Sequence, residues 1–333
     1  MNKEFTERTR CWVLSDGRPG METQCLGLAE RLGMAPTIKR IDLRAPWRWL
    51  PPILQPLPFA SLSPTGDNLE PPWPEVLIAT GRKTAALAAA IRKTSGGGCY
   101  TVQIQNPTLP TDRFDAVILP DHDGQGARDG VITTTGALGR VTPTALTQAA
   151  AQAAPYLQNL PHPRVAVLIG GPNGVYTMPT AVIEEHLTAA IDASKALHGS
   201  LMISASNRTP DVIKARLRHA GEQLGCPVWG DAGDGENPYL SYLALADYLL
   251  VTADSVNMLC EAAATGKPLM VLNLPGGSRK FTRFHKNLRD RGITRVFSGR
   301  LENWHYEPLQ EAQRVAAILA TRIADHLGRR ADS

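Results

Sequence analysis

The stretch Leu249-Leu250-Val251-Thr252-Ala253-Asp254-Ser255-Val256-Asn257-Met258-Leu259-Cys260-Glu261-Ala262-Ala263-Ala264-Thr265-Gly266-Lys267-Pro268 decides the fold of this 333-residue chain. Its first four residues form a short apolar run bounded by turn residues, which reads as a buried strand. Asp254 or Ser255 suits the N-cap of a helix, Gly266 its end, and Pro268 the opening of a further strand. Strand, tight turn, helix and strand make the crossover unit of a parallel sheet. A helix N-terminus at the carboxyl end of such a strand offers N–H groups and a positive dipole to phosphate. Glu261, almost two turns on, is placed to accept the hydroxyls of a ribose. The same residues also read as a well-capped packing helix with Glu261 on its solvent face.

Outward from this unit, strands are expected at residues 165–169, 201–204, 228–229 and 269–274. Helices are expected near 179–197, 210–223, 238–246, 280–290 and 308–327. Three further strand-end loops carry polar residues. Gly170 and Gly171 stand in the first, where glycine lets a ligand approach the backbone, although Pro172 breaks any G-x-G-x-x-G pattern. In the second, Ser206 and Arg208 face phosphate chemistry, and Thr209 stands to cap a helix opened by Pro210. The third holds Glu236 and Asn237 ahead of another helix. All lie on the carboxyl side of one predicted sheet and so converge.

The first half repeats the alternation, with strands at 11–15, 37–43, 76–79, 100–105, 116–119 and 131–134. Its first strand-to-helix turn offers Asp16, Arg18 and Glu22. A later loop, Pro120-Asp121-His122-Asp123-Gly124, holds His122 as a candidate base between two acids that read as turn residues. A helix is expected over 142–158, ending at Leu160-Pro161-His162-Pro163, where two prolines in three residues mark a boundary. The expected division is a Rossmann-like domain at 1–160, a second at 161–305, and a terminal helix at 306–333 packing back towards the first. The fold class is α/β, two facing Rossmann-like domains with mostly parallel sheets. Residues 45–74 differ: they are rich in proline and read as a surface excursion with a short helical piece. Within them Trp47-Arg48-Trp49-Leu50-Pro51-Pro52-Ile53-Leu54 suits either a membrane interface or a core-facing aromatic pair.

Composition narrows the classes. A chain with 43% hydrophobic and 20% charged residues is an ordinary globular protein. The formal charge of +4 gives no reason to expect nucleic acid as a partner. Basic clusters at 31–50 and 279–300 suit phosphates or an anionic membrane face, or simply a solvated surface. Five cysteines, none in a C-x-x-C pair, suggest neither disulfides nor zinc. No metal is expected, since no Asp-x-Asp stands in a metal-binding context. No signal-peptide core or membrane-spanning run is evident, so a cytoplasmic protein is expected, one able to lie on the inner membrane face.

Together these motifs resemble a known family: Ser15-Asp16-Gly17-Arg18-Pro19-Gly20 with Glu22 and Gln24, Thr80-Gly81-Arg82, Pro120-Asp121-His122-Asp123, Ile169-Gly170-Gly171, Arg208-Thr209-Pro210, Glu236-Asn237-Pro238-Tyr239, and Ala253-Asp254-Ser255 through Gly266-Lys267-Pro268. The family is named for a plant mitochondrial-fission factor ("elongated mitochondria"), and its bacterial members are regarded as glycosyltransferases, some linked to lipooligosaccharide outer core. The likeness runs from about residue 11 to 300. It implies a GT-B architecture with the nucleotide sugar in the second domain, needing no cofactor. Gly170, Gly171, Ser206, Arg208, Thr209, Glu236, Asn237, Asp254, Ser255, Glu261 and Lys280 would surround the donor. Asp16, Glu22 or His122 would serve catalysis on a glycan or lipid-linked acceptor. Met21 stands where many bacterial members carry His, and Asn207 replaces the first of two arginines before Thr-Pro. The plant member's adaptor role keeps a non-catalytic scaffold as an alternative. A nucleotide-sugar epimerase is another.

Overall fold

The structure is a computed structural model describing residues 9–123 and 128–331; the first eight residues of the charged N-terminus and Gly124 of the acidic loop lie outside them. The chain divides into two compact units, Met1–Arg140 with Glu311–Ser333, and Val141–Gln310.

The first unit is a six-stranded sheet of β1 (Cys11–Ser15), β2 (Thr37–Arg40), β3 (Val76–Thr80), β4 (Tyr100–Ile104), β5 (Ala116–Pro120) and β6 (Val131–Thr134). Their order is β2-β1-β3-β4-β5-β6, and every neighbouring pair is parallel. Side chains alternate between two cores, as a pleated strand covered on both faces requires. Cys11, Val13, Val76, Ile78 and Ile118 join the core beneath α1 (Pro19–Arg31) and the C-terminal helix α10 (Glu311–Ala331). Leu14, Leu77, Ala79, Val117 and Leu119 join the opposite one, beneath α2 (Arg82–Thr94). The helical period places Ala312, Val315, Ala316, Leu319 and Ile323 of α10 in the first core.

The second unit is also a six-stranded all-parallel sheet. Its strands are β7 (Arg164–Ile169), β8 (Ser200–Ala205), β9 (Val228–Trp229), β10 (Tyr248–Thr252), β11 (Leu269–Leu272) and β12 (Thr294–Val296). The order β12-β11-β10-β7-β8-β9 is that of the dinucleotide-binding Rossmann sheet. Helices α5 (Thr180–Lys195), α6 (Asp211–Leu224), α7 (Tyr239–Leu245), α8 (Val256–Ala263) and α9 (Arg279–Asp290) connect them.

Three expectations need correction. The helix expected over 142–158 is two helices, α3 (Pro143–Gln152) and α4 (Pro155–Gln158). Pro155 pushes Ala154 into an extended conformation, ψ 141°, and ends the run. Second, α3 packs on α7, with the Ser241 hydroxyl donating to the Ala149 carbonyl at 3.3 Å. The units therefore part after Arg140, ahead of the proline turn at 161–163. Third, the second sheet has an edge strand beyond those expected, β12, whose three residues are too few to show a β pattern.

Candidate functional site

In an open parallel sheet the chain reverses its direction of winding at one point, and the loops there diverge to leave a crevice. In the second unit that point lies between β7 and β10, so the loops after Ile169 and Thr252 flank it. The residues quoted first above are those that build it.

Asp254 is the hub. Its side chain is buried, and three donors reach it: the Gly171 N–H at 2.9 Å, the Thr252 hydroxyl at 2.7 Å and the Arg208 guanidinium at 3.0 Å. The Gly170 N–H in turn donates to Thr252 Oγ1 at 2.8 Å. Arg208 also donates to the Gly171 carbonyl at 2.8 Å, so one guanidinium ties together loops after three strands. Asn173 adds a bond from Nδ2 to the Asp254 carbonyl at 3.4 Å. Asp254 thus shapes the crevice through its neighbours, with both oxygens engaged.

The glycines serve the same packing. A Cβ on Gly170 would sit 2.4 Å from Asp254 Oδ2, and one on Gly171 would sit 2.4 Å from the Arg208 backbone. The close approach foreseen for a ligand is made by the protein itself. Thr209 likewise departs from expectation: it is buried, and its hydroxyl donates to the Ile169 carbonyl at 3.2 Å and to the Gly170 carbonyl. Pro210, without a side-chain bond, is the N-cap of α6. Ser206 Oγ accepts from the Arg208 N–H at 3.2 Å and holds the loop's turn.

Ser255 is the N-cap of α8, but its side chain makes no cap bond to the first turn. The dipole of α8 therefore opens at the switch point without a serine oxygen over it. Glu261 lies half-buried further along α8, and its Oε2 accepts the Tyr239 hydroxyl at 2.8 Å. Burial raises its pKa, and the Tyr239 bond works in the opposite direction. Asn237 Oδ1 accepts the Tyr239 N–H at 3.0 Å, orienting the start of α7; Glu236 and Asn237 are both exposed. Lys280 is exposed in the first turn of α9, which follows β11, the strand beside β10. Tyr239, Thr252 and Asn173 had no assigned role in the sequence, since nothing local announces partners so distant along the chain.

The first unit has its own switch point, between β1 and β3. Asp16 sits in the loop after β1, with its side chain nearly buried. Oδ2 is 3.1 Å from Arg18 Nε and 3.8 Å from Lys83 Nζ, and Oδ1 is buried without a hydrogen-bond partner. Met21 packs on the end of β3: its Cε would lie 2.5 Å from a Cβ on Gly81, and the Thr80 hydroxyl is 3.8 Å from its sulfur. Glu22 is committed elsewhere. Arg40 grips both its oxygens, at 3.0 and 2.8 Å, and this bond holds its pKa below the usual carboxylate range. His122 is buried just after β5, with Nε2 3.9 Å from Asp123 Oδ1. Since β1, β3, β4 and β5 are successive neighbours, His122 is roughly 14 Å from Asp16 by strand spacing. The strands that carry Asp16 and His122 are therefore apart, while Glu22 is held by Arg40.

Comparison with solved structures fits the topology. The chain superposes with TM-score 0.50 on the UDP-GlcNAc 2-epimerase of Neisseria meningitidis bound to UDP-GlcNAc, at 13% identity, covering 94% of this chain and 99% of that one. It matches Os79 of O. sativa in complex with UDP equally, at 12% identity and 94% of both chains. A UDP-glucosyltransferase of Polygonum tinctorium gives the same score at 12% identity, covering 96% and 98%. The fold is of the GT-B type shared by glycosyltransferases and such epimerases. Among curated sequences, the mitochondrial fission protein ELM1 of Arabidopsis thaliana is 30% identical, covering 96% of this chain and 92% of that protein. An uncharacterized protein of Rickettsia prowazekii is also 30% identical, covering 92% and 97%. The model of the family described as mitochondrial fission ELM1 matches residues 19–323, and the chain belongs to that family.

Proposed function

We propose that this chain is a glycosyltransferase that takes a sugar from a nucleoside diphosphate donor held at the β7–β10 switch point. The observation that carries the reading is the convergence there of the α8 N-terminus, Arg208 and the Glu261–Tyr239 pair. In this reading the diphosphate lies against the first turn of α8 at Ser255, within reach of Arg208 and Lys280, and the ribose hydroxyls meet Glu261. Gly170, Gly171, Thr209 and Asp254 fix the loops; Ser206, Glu236 and Asn237 line the approach.

Chemically, the anomeric C–O bond to the diphosphate breaks as an acceptor oxygen bonds to that carbon. The developing negative charge on the diphosphate falls on the helix dipole and the cations. The acceptor's proton passes to a carboxylate, and we assign that role to Asp16, whose Oδ1 has no donor of its own. Glu22 is bound to Arg40 and His122 lies at another strand, so neither takes it. The acceptor we propose is a cell-envelope glycan, lipooligosaccharide or lipid-linked, met at the inner face of the cytoplasmic membrane.

A panel of nucleoside diphosphates and their sugars in calorimetry tests the donor site. Selective binding of one nucleotide, weakened by about tenfold or more in Glu261→Gln, is expected. Absence of binding across the panel would overturn the reading in favour of a scaffold. Epimerisation is a second reading, since an epimerase bound to UDP-GlcNAc matches this fold at the same score as a plant protein in complex with UDP and a plant UDP-glucosyltransferase. It predicts a changed sugar with no acceptor present, whereas transfer releases the diphosphate only when an acceptor is supplied.

A further inference from the structure

The first unit carries an apolar ledge that its own core does not use. Trp49, Ile53, Leu54 and Leu57 are 69%, 59%, 56% and 70% exposed. Large apolar side chains that exposed are ordinary singly, but four within nine residues form a patch. The segment is held in shape from beneath. Pro52 and Gln55 are buried, and the Gln55 amide donates to the carbonyls of Trp47 at 3.2 Å and Leu50 at 3.3 Å. Its base is closed by an antiparallel bridge between Leu43 and Leu62 and by the Arg44 N–H to the Ser61 carbonyl at 3.0 Å. The turns Pro52–Leu54 and Pro58–Ser61 pack on α2. A built, proline-stiffened segment that points its large apolar groups outward forgoes the stabilisation that burying them would bring.

The surroundings indicate which partner the ledge fits. Residues 43–66 contain Arg44 and Arg48 and no acid. Arg48 lies over the Trp49 ring at 5.0 Å and Arg44 over the Trp47 ring at 5.7 Å, so each indole carries a cation beside it. Next to the ledge is a cavity of about 820 Å³, lined in part by Pro52, Pro56, Ala86 and Ala90. Lys93 and Arg113 stand exposed on its rim, with Asp112 the acid there and Arg92 paired to Asp115 at 2.9 Å. The buried Oε1 of Gln55, which lines this cavity, has no hydrogen-bond partner. Exposed indole and aliphatic groups ringed by arginine and lysine match the headgroup boundary of an anionic bilayer: apolar groups enter the interface and cations meet lipid phosphates.

We infer that this ledge docks the chain onto the surface of an anionic lipid bilayer, with Trp49, Ile53, Leu54 and Leu57 inserted at headgroup depth. The inference stands apart from the nucleotide reading and is tested without nucleotide. The full chain is sedimented with phosphatidylglycerol–phosphatidylethanolamine vesicles and with phosphatidylcholine vesicles, at low and high salt. Binding to the anionic vesicles, weakened by salt, is expected. The double variant Trp49→Ser, Leu57→Ser should bind about tenfold less or weaker with an unchanged unfolding midpoint, since both side chains are exposed. Arg48→Glu with Lys93→Glu, which leaves the apolar groups in place, should lose the preference for anionic lipid. No sedimentation of the parent chain at low salt overturns the inference, as does a double variant that binds like the parent. Self-association that the double variant abolishes, without vesicle binding, would make the ledge a protein interface and also overturn it.

Discussion

Each unit places one buried aspartate at the switch point of its sheet, and the two are treated oppositely. Asp254, after β10, is saturated by a backbone N–H, a hydroxyl and a guanidinium. Asp16, after β1, has two cations near one oxygen and no donor on the other. Leaving a buried carboxylate oxygen unpaired costs free energy, so of the two aspartates Asp16 is the one with an acceptor to spare. Topology alone marks both positions equally. Hydrogen-bond satisfaction separates the two, and it is on this difference that the proposed function assigns Asp254 to holding the loops and Asp16 to accepting the proton.

The largest effect that would sharpen this contrast is on turnover. Asp16→Asn keeps the size and removes the proton acceptor, so the rate should fall by on the order of 10²–10⁴-fold while donor affinity holds. Turnover that survives unchanged in a steady-state assay with acceptor would break the assignment of Asp16 as base. Asp254→Ala should act on stability instead. It strands the Gly171 N–H and the Thr252 hydroxyl in a buried place, at a cost of about 1–3 kcal/mol. Urea unfolding of the variant measures that loss, and a midpoint equal to the parent's would mean Asp254 is not the hub described.

Glycines at the two points differ in the same sense. A Cβ on Gly171 meets the Arg208 backbone, whereas one on Gly17 meets nothing within 4 Å and only the left-handed φ of +80° resists it. Gly171→Ala should therefore cost about 1–3 kcal/mol by overpacking, and Gly17→Ala about 1–2 kcal/mol by backbone strain. Nucleotide affinity should drop in the first and stay in the second. Equal losses of affinity would show that the second unit's loops are no more tightly built than the first's.

How far the sequence could be read depended on how local the signal was. The strand at 249–252, the turn at Asp254 and the stop at Gly266 are adjacent in the chain, and short apolar runs with capped helices mark every strand but the edge β12. Length and proline content marked 45–74 as an excursion. What stayed hidden were choices made across the sheet. Thr209 next to Pro210 looks like a cap, yet its hydroxyl finds the carbonyls of Ile169 and Gly170, which no local pattern contains. Glu22 looks as available as Asp16 until Arg40, on the neighbouring strand, takes both its oxygens. The glycine pair at 170–171 signals close approach in either case, and only the fold reveals that the approaching groups are Asp254 and Arg208. The unit boundary is equally non-local: proline interrupts regular structure without deciding which core the preceding helix joins, and α3 joins the second unit.

The smallest expected effect concerns Glu261, which lies between the two extremes: half-buried, with one donor, the Tyr239 hydroxyl. Burial raises its folded-state pKa above the ordinary value of 4.5, and the Tyr239 bond only partly offsets this. A carboxyl whose pKa rises on folding binds its proton more tightly in the folded chain. Its stabilising contribution is complete below the unfolded pKa, near 4.5, and is lost as pH rises through the folded value. Glutamine keeps the shape and cannot ionise. Glu261→Gln should thus match the parent to within about 0.5 kcal/mol in acid, where both side chains are neutral. From about pH 4.5 upward the variant should gain on the parent and then level off. Thermal unfolding midpoints of the two chains, taken without nucleotide over a pH series, give this difference directly. A difference that does not change with pH would mean that Glu261 is as well solvated as a surface carboxylate, and the site's floor would then be open to water rather than closed by α7.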